Sequence, residues 1–449
     1  MIKKSIQLII VFLCIHSLFA ADSSIISLAY YIPYDEADYY ESASFSIGAS
    51  PFDFDSNLLG FTEENSVEYS PLDVFSQLDE SGYSPRSMVK EKSLKKNRGE
   101  KVGSKWKGAS VSIDDENTVY INATCVYESN HAYFYVDDSI EYDISDFITT
   151  GKEFDSSYEM IIPVFGHEAD VDGNGKIRFL ITNFDEDTMG FYYPLDQYSN
   201  TELWKAEIDY VSNESDVLYI NSLIFSDDEL FDIADVYSTL AHEFSHMAYM
   251  NNRERQDLME ETSMWINEGL AMWCESYVGL PVGHADYIHD YLYVADEIGL
   301  FESERSEIYG YGLLFFRYIE EAFGLDAIID IINSRYTGTE AIADAIGYPF
   351  EDIFTVFVYC LLATATYSDP EFYLEGLNDV EKGFVLSDEV LYILDDYENY
   401  YNLEDGYAFH TDYFNPFSIS FFITDSVEDT DFESEKAEMI YVEVEWESE

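Results

Sequence analysis

The order of apolar and polar residues divides the chain into a strand-rich part and a helical part. Across residues 108–137, apolar and polar residues alternate, and many of the apolar ones are β-branched or aromatic. This two-residue period predicts strands of a sheet, because successive side chains of a strand point to opposite faces. The stretches 177–182 and 217–223 predict two further strands.

From residue 231 onward the apolar residues recur at helical spacing. The predicted helices span residues 231–251, 260–278, 284–297, 307–323, 325–334, 339–346 and 350–366, and an earlier one spans 144–164. Strands that precede a block of helices, rather than alternating with them, are typical of an α+β fold. We therefore expect a β-rich subdomain that leads into a mostly helical one.

The segments on either side of this central part differ from it in composition. Residues 1–20 have a short basic start and then an apolar run, which predicts a secretory signal peptide. Residues 21–104 are acidic and weakly patterned, and we interpret them as an N-terminal extension or pro-segment that ends in a basic linker. Residues 371–449 are acidic again and predict a small β-rich C-terminal region. The main domain then covers residues 105–370.

The basic linker stands out because residues 84–107 contain 9 of the 22 Lys and Arg residues of the chain. A solvated linker is one interpretation of such a charge run. A processing site near Lys95 and Lys96 is a second, and a basic segment that lies against the acidic body is a third.

Charge and composition exclude several classes of function. The 449 residues carry a formal net charge of −68, which argues against nucleic-acid binding and against docking on an anionic membrane. With 47% hydrophobic residues the chain can still form a sizeable core. After the signal peptide we find no apolar run of about 18 residues, so we expect a secreted protein, extracellular or periplasmic, without membrane insertion. Cys125, Cys274 and Cys360 are widely spaced, which favours free buried thiols over a thiolate metal site.

One motif in the helical part indicates a specific chemistry. His242 and His246 are four residues apart in a predicted helix, so both imidazoles lie on one face and reach a single zinc ion. Glu243 then lies beside the metal, where it can act as the general base that activates a water molecule. This spacing predicts a hydrolytic metal site.

A third zinc ligand is predicted on the following helix. Glu268 lies in an Asn-Glu-Gly sequence, and a short connection folds its helix back against the first one. A site with two His and one Glu leaves the fourth metal position open, as catalysis requires. Glu261 and Glu275 lie seven residues to either side, on the same face. Glu275 is either a partner of a ligating histidine or a solvated glutamate.

A second candidate metal site precedes these helices. Asp170, Asp172 and Asn174 place oxygen atoms at alternate positions, as in the first half of a calcium loop. The glutamate expected at the twelfth position of such a loop is replaced by Ile181. A calcium site and an ion-free Asp/Asn/Gly turn both fit this pattern.

With these residues the chain resembles the gluzincin zinc metallopeptidases, in which a glutamate ligand follows the His-Glu-x-x-His motif. It is most similar to the hyicolysin-like family of secreted bacterial peptidases. The segments that carry the resemblance are 165–177, 212–220, 241–246, 265–270 and 309–316. The similar region covers residues 105–367, so both ends of the chain lie outside it.

The resemblance implies a zinc-dependent endopeptidase with a thermolysin-like, two-part catalytic architecture. Its substrates would be proteins or peptides, and its cofactor zinc. A secreted adhesin or binding protein that keeps the peptidase fold without turnover is the main alternative. The intact ligand and base residues argue against that alternative.

A donor to the negatively charged oxygen of the transition state is not identified by the motif. Tyr309 and Tyr311 resemble family positions that supply such a donor. His284 and His289 are further candidates, although the favoured interpretation of each is an ordinary surface or satisfied core histidine.

Overall fold

A mixed β-sheet and a block of helices contain most of the residues that this computed structural model describes. The described residues are 24–33, 43–47, 100–114, 117–184, 188–208, 210–225, 233–256, 264–295, 298–300, 305–366, 374–379, 384–385, 409–414, 417, 419–424 and 437–446. The predicted signal peptide and most of the basic linker lie outside them.

The strands follow in chain order. They are β1 (Ser24–Pro33), β2 (Ala43–Ile47), β3 (Lys105–Asp114), β4 (Asn117–Glu128), β5 (Ala132–Asp137), β6 (Ile177–Thr182), β7 (Gly190–Tyr192), β8 (Val217–Asn221), β9 (Asn378–Asp379), β10 (Phe384–Val385), β11 (Phe409–Phe414), β12 (Ile419–Thr424) and β13 (Ala437–Trp446). Short 3₁₀ turns lie at Pro194–Gln197, Ser222–Phe225 and Glu375–Leu377.

The helices are concentrated after β8. They are α1 (Ile144–Phe165), α2 (Asn200–Lys205), α3 (Ile233–Gln256), α4 (Met264–Tyr277), α5 (His284–Tyr293), α6 (Ile308–Phe323), α7 (Leu325–Ile332), α8 (Gly338–Ile346) and α9 (Phe350–Thr366). The chain is therefore mixed α+β, and this part of the predicted fold is confirmed.

The main sheet has six strands in the order β3-β4-β5-β6-β8-β7. The strands β5, β6 and β8 run parallel to one another, and β7 returns antiparallel to β8 at the edge. All five residues of β8 are buried, and β6 is almost wholly buried. Burial on both faces explains why both strands are mainly apolar, because such strands have no solvent-facing side.

Aromatic side chains join α1, the sheet and α3. The ring of Phe154 on α1 packs edge-on at 4.7 Å from Phe179 of β6 and at 5.6 Å from Phe244 of α3. Phe244 is completely buried and lies between the two motif histidines in sequence. The helix that carries these histidines is thus fixed to the β-rich part by its apolar face.

Two glycines let α6 approach its neighbours closely. A Cβ atom on Gly312 would lie 2.6 Å from the Cα atom of Gly269 on α4, and one on Gly310 would lie 2.0 Å from the carbonyl oxygen of Tyr287 on α5. Neither position has room for a larger residue. The Tyr-Gly-Tyr-Gly sequence of α6 therefore has a packing role against two different helices.

The N- and C-terminal regions share a second sheet. Strand β1 lies between β12 and β13 and is antiparallel to both, and β2 pairs with β11. This pairing joins parts of the regions 21–104 and 371–449, which were predicted as separate regions. Phe417 is completely buried, and its carbonyl oxygen accepts a hydrogen bond from the Tyr311 hydroxyl group. The C-terminal region is thereby packed against α6.

No helix in the described part of the chain is long and apolar enough to cross a membrane.

Candidate metal centre

His242 and His246 lie one turn apart on α3 and point at a common oxygen atom. The Nε2 atoms of His242 and His246 are 3.3 Å and 3.2 Å from Oε2 of Glu268. In a tetrahedral zinc site with bonds of about 2.0 to 2.1 Å, ligand atoms lie roughly 3.3 Å apart. The spacing of these three atoms therefore fits a zinc ion.

Glu243 completes the group that we call the histidine site: His242, Glu243, His246 and Glu268. The ligand atoms of His242, Glu243 and His246 lie within 4.8 Å of one another. One carboxylate oxygen of Glu243, Oε2, accepts a hydrogen bond of 2.8 Å from the backbone N–H of Tyr192 on β7. The edge strand of the sheet thus holds the carboxylate of Glu243 in place.

The second nitrogen of each histidine is also bonded. Nδ1 of His242 lies 2.7 Å from Oε1 of Glu275, and Nδ1 of His246 lies 3.1 Å from Oδ1 of Asn267. Since these oxygens accept, each imidazole carries a proton on Nδ1, which leaves Nε2 as the atom that would coordinate a metal ion. The helix α4 thus supplies both partners and Glu268. Of the two roles predicted for Glu275, its burial and this contact favour the partner role.

The carboxyl groups of the site have shifted pKa values. Burial raises the pKa of Glu243 above its ordinary value, and the nearby histidines only partly offset the rise. Burial also acts to raise the pKa of Glu268, but the two histidines outweigh it and hold that pKa well below its usual range. Glu268 therefore stays ionised, whereas Glu243 accepts a proton more readily than an ordinary glutamate.

This electrostatic environment suits a divalent cation. Burial disfavours protonation of His242, but hydrogen bonds with Glu268 and Glu275 hold its pKa well above the ordinary value. The same negative potential that favours a proton on the imidazole favours a metal ion beside it. Geometry and charge agree on this point.

The structure distinguishes between the two tyrosines that were predicted as oxyanion donors. The Tyr309 ring lies 6.2 Å from the His242 ring between centroids, so this tyrosine stays a candidate. Tyr311 is completely buried and donates its hydroxyl hydrogen to Phe417. The expectation for Tyr311 is therefore wrong, because residues two apart in a helix point to different sides of it.

The two histidine candidates have different surroundings. His284 is buried, and its nitrogens lie within hydrogen-bond distance of Glu275 and Ser276, so it does not face the histidine site. These contacts favour the satisfied core histidine over the oxyanion donor. His289 lines a cavity of about 330 Å³ with Asp290, Tyr293, Val294, Ser306 and Glu307. Its predicted role stays untested, and Glu261 lies outside the described residues.

The Asp-rich turn, residues 170–176, uses its side-chain oxygens internally. Oδ2 of Asp172 accepts a hydrogen bond of 2.9 Å from the Ser215 hydroxyl group and lies 2.8 Å from the Arg178 guanidinium. Oδ1 of Asp172 accepts the backbone N–H of Asn174 at 3.0 Å. Both oxygens of this carboxylate are thus bonded within the protein.

The other two predicted calcium ligands behave in the same way. Oδ1 of Asp170 accepts the Gly175 backbone N–H at 2.8 Å, and Oδ1 of Asn174 accepts that of Lys176 at 2.7 Å. These contacts are those of an Asp/Asn/Gly turn. They favour the ion-free alternative, and calcium binding stays a prediction.

Some residues at the site were not identified from sequence. The Tyr192 contact uses the backbone, so no side-chain pattern indicates it. Ser238 lies one turn before His242 on α3 and contacts Oε2 of Glu275. Its spacing from His242 is the only signal in the sequence.

Comparison with known proteins identifies one metalloprotease relative. The chain is 27% identical over 213 residues to the neutral metalloprotease ShpI of Staphylococcus hyicus. The match covers 44% of this chain and 47% of that protein, so the chain spans about half the length of this relative. No protein-family model matches the chain. The similarity supports a relationship to metalloproteases.

Proposed function

We propose that this protein is a secreted zinc-dependent endopeptidase of the gluzincin type, closest to the hyicolysin-like peptidases. His242, His246 and Glu268 would hold the zinc ion, and Glu243 would be the general base. The observation that carries the proposal is the convergence of the two Nε2 atoms on Oε2 of Glu268. The similarity to a protein named as a neutral metalloprotease supports it.

A bound zinc ion supplies Lewis acidity, which lowers the pKa of water and polarises a carbonyl group. Glu243 accepts the proton of the attacking water molecule and later passes it to the leaving amine. Its raised pKa suits both steps, because it brings proton uptake closer to neutral pH. The backbone N–H of Tyr192 fixes one oxygen of this carboxylate and leaves the other to carry the proton.

Tyr309 is the residue we propose as a donor to the developing oxyanion. Its ring lies beside that of His242 at the start of α6. A phenol hydroxyl group is a suitable donor for such a charge. The Tyr309→Phe variant would then lower kcat and leave zinc content unchanged.

The remaining parts of the proposal concern the whole chain. Residues 1–20 would direct secretion, residues 105–370 would form the peptidase domain, and residues 21–104 would act as an extension or pro-segment. N-terminal sequencing of the secreted form tests whether the chain is processed at Lys95 and Lys96. An N-terminus near Asp22 would contradict such processing.

The test is the Glu243→Gln variant, which removes the base and keeps a side chain of the same size. We expect the variant to bind one zinc ion per chain and to lose casein hydrolysis. For wild type we expect casein hydrolysis that stops when a chelator is added. A wild-type protein that binds zinc without hydrolysis would instead support the adhesin-like alternative. Retained hydrolysis in the variant would contradict the role of Glu243.

A further inference from the structure

A hydrogen-bonded chain extends from the histidine site into the protein interior. His284 begins helix α5, directly after Gly283, which has a left-handed backbone with φ of 70°. This turn brings the imidazole back against α4, where the His284 side chain is only 1% exposed. A histidine this deeply buried needs partners for both ring nitrogens.

Both partners of His284 are present, and they give the chain a direction. Nδ1 of His284 lies 3.2 Å from the hydroxyl oxygen of Ser276, and Nε2 lies 3.1 Å from Oε2 of Glu275. A carboxylate only accepts, so Nε2 carries the proton and Nδ1 accepts the Ser276 hydroxyl hydrogen. The donors of the chain therefore run from Ser276 through His284 to Glu275.

Glu275 receives donors from two sides. Its Oε1 accepts from Nδ1 of His242 at 2.7 Å, while its Oε2 accepts from His284. The Ser238 hydroxyl group also contacts Oε2, and it lies 2.8 Å from the carbonyl oxygen of Leu280. Residues of α3, α4 and α5 thus fix a single carboxylate.

We propose that His284 is a positioning residue for the zinc ligand His242. By holding Oε2 of Glu275, His284 aims Oε1 at Nδ1 of His242 and so fixes the orientation of that imidazole. Groups that orient a metal ligand slow metal release, because the ligand then spends less time in rotamers that point away from the metal. This inference rests on the proposed zinc site.

The test compares zinc release from the full-length zinc-loaded protein and its variants. Rates are measured with a chromogenic chelator in excess. We expect His284→Leu to release zinc about tenfold faster than wild type, since outer partners of metal ligands contribute about 10- to 100-fold to affinity. His284→Gln keeps an amide donor for Glu275 and should lie within about threefold of wild type.

The matched control is His131→Leu. His131 also pairs with a glutamate, at 2.9 Å from Glu159, but it lies in the β-rich part. It should release zinc at the wild-type rate. The Co²⁺-substituted forms give a second signature: we expect a shift of the d–d absorption bands in His284→Leu and unchanged bands in His131→Leu.

The outcomes separate this inference from the proposed function. Wild type without bound zinc would overturn both. Zinc-loaded wild type and His284→Leu with equal release rates and equal Co²⁺ spectra would overturn the positioning role alone. If His284→Leu does not fold, Ser276→Ala provides the comparison through His284, because it removes the donor to Nδ1 of that imidazole.

Discussion

The histidine site and the Asp-rich turn are both clusters of potential metal ligands, and they differ in where their lone pairs point. At the histidine site two imidazole nitrogens and one carboxylate oxygen converge on a common point, while the outer atoms of both histidines are bonded away from it. In the Asp-rich turn the oxygens of Asp172 accept hydrogen bonds from the protein itself. In a chain with 90 acidic residues, convergence is therefore more informative than composition.

Carboxyl pKa values sharpen the comparison. Despite burial, hydrogen bonds with His242 and His284 hold the pKa of Glu275 well below its ordinary value. Beside the Asp-rich turn, burial raises the pKa of Asp216 from 3.8 to about 7, even though it accepts hydrogen bonds from Val171 and Gln197. Hydrogen-bond donors thus favour the charged carboxylate at one cluster, and burial disfavours it at the other.

The largest expected effect concerns Asp216. The folded protein keeps a proton on this group between pH 3.8 and about 7, where the unfolded chain has lost it. Stability must therefore fall as the pH rises through this window. The Asp216→Asn variant does not titrate at this position. Relative to it, the unfolding free energy of wild type should fall by roughly 4 kcal/mol between pH 4 and pH 8, at about 1.4 kcal/mol per pKa unit.

Urea unfolding of both proteins across this pH range measures the difference. The substitution also removes an acceptor from the backbone N–H of Ala169 or Val171, but this cost does not depend on pH. A constant difference between the two proteins would show that Asp216 is ionised in the fold throughout.

The next largest effect is expected at the histidine site. Glu268→Gln removes the charge on which both Nε2 atoms converge. We expect zinc affinity to fall by more than about 100-fold, the upper end of the effect of outer partners of metal ligands. Competition with a chelator of known affinity measures this loss. The control is Glu159→Gln, which removes a similar glutamate from its pairing with His131 and should leave zinc affinity unchanged.

A smaller effect is expected where α4 crosses α6. A methyl group at residue 312 would lie 2.6 Å from Gly269 and would displace the helix that carries Glu268. Gly312→Ala should therefore cost about 1 to 3 kcal/mol in unfolding free energy and also speed zinc release. Urea unfolding and chelator-driven zinc release provide the two readouts.

The matched control for this variant is Gly347→Ala. Gly347 ends α8 with φ of 81° and has open space around its Cα atom. Its substitution should cost about 1 to 2 kcal/mol through backbone strain, without an effect on zinc release. Equal zinc-release rates in the two variants would show that the packing of α4 against α6 does not affect the histidine site.

The histidine site could be predicted from the sequence because the residue pattern that indicates it is local. The four-residue spacing of His242 and His246 places both on one face of a helix whatever the rest of the fold does. The hydrogen bonds from Tyr192 and His284 depend on how separate elements meet, and no spacing encodes that. The same limit explains the pairing of β1 with β12 and β13, since partners about 400 residues apart have no shared local pattern.

The smallest expected effect is that of calcium, and it tests the comparison directly. A calcium ion bound by Asp170, Asp172 and Asn174 would compete with the donors that already use lone pairs of these oxygens in the turn. Oδ2 of Asp172 would also have to leave Arg178. Each displaced donor would need another partner, which offsets the gain from the ion.

We therefore expect millimolar calcium to change the thermal midpoint of the zinc-loaded protein by less than about 1 °C. A calcium concentration of 100 times the Kd of a real site would instead stabilise the fold by about 2.7 kcal/mol. That corresponds to several degrees for a domain of this size. The Asp172→Asn variant is the control for binding elsewhere on this acidic surface. A calcium-dependent rise that this variant abolishes would show that the turn exchanges its internal hydrogen bonds for an ion.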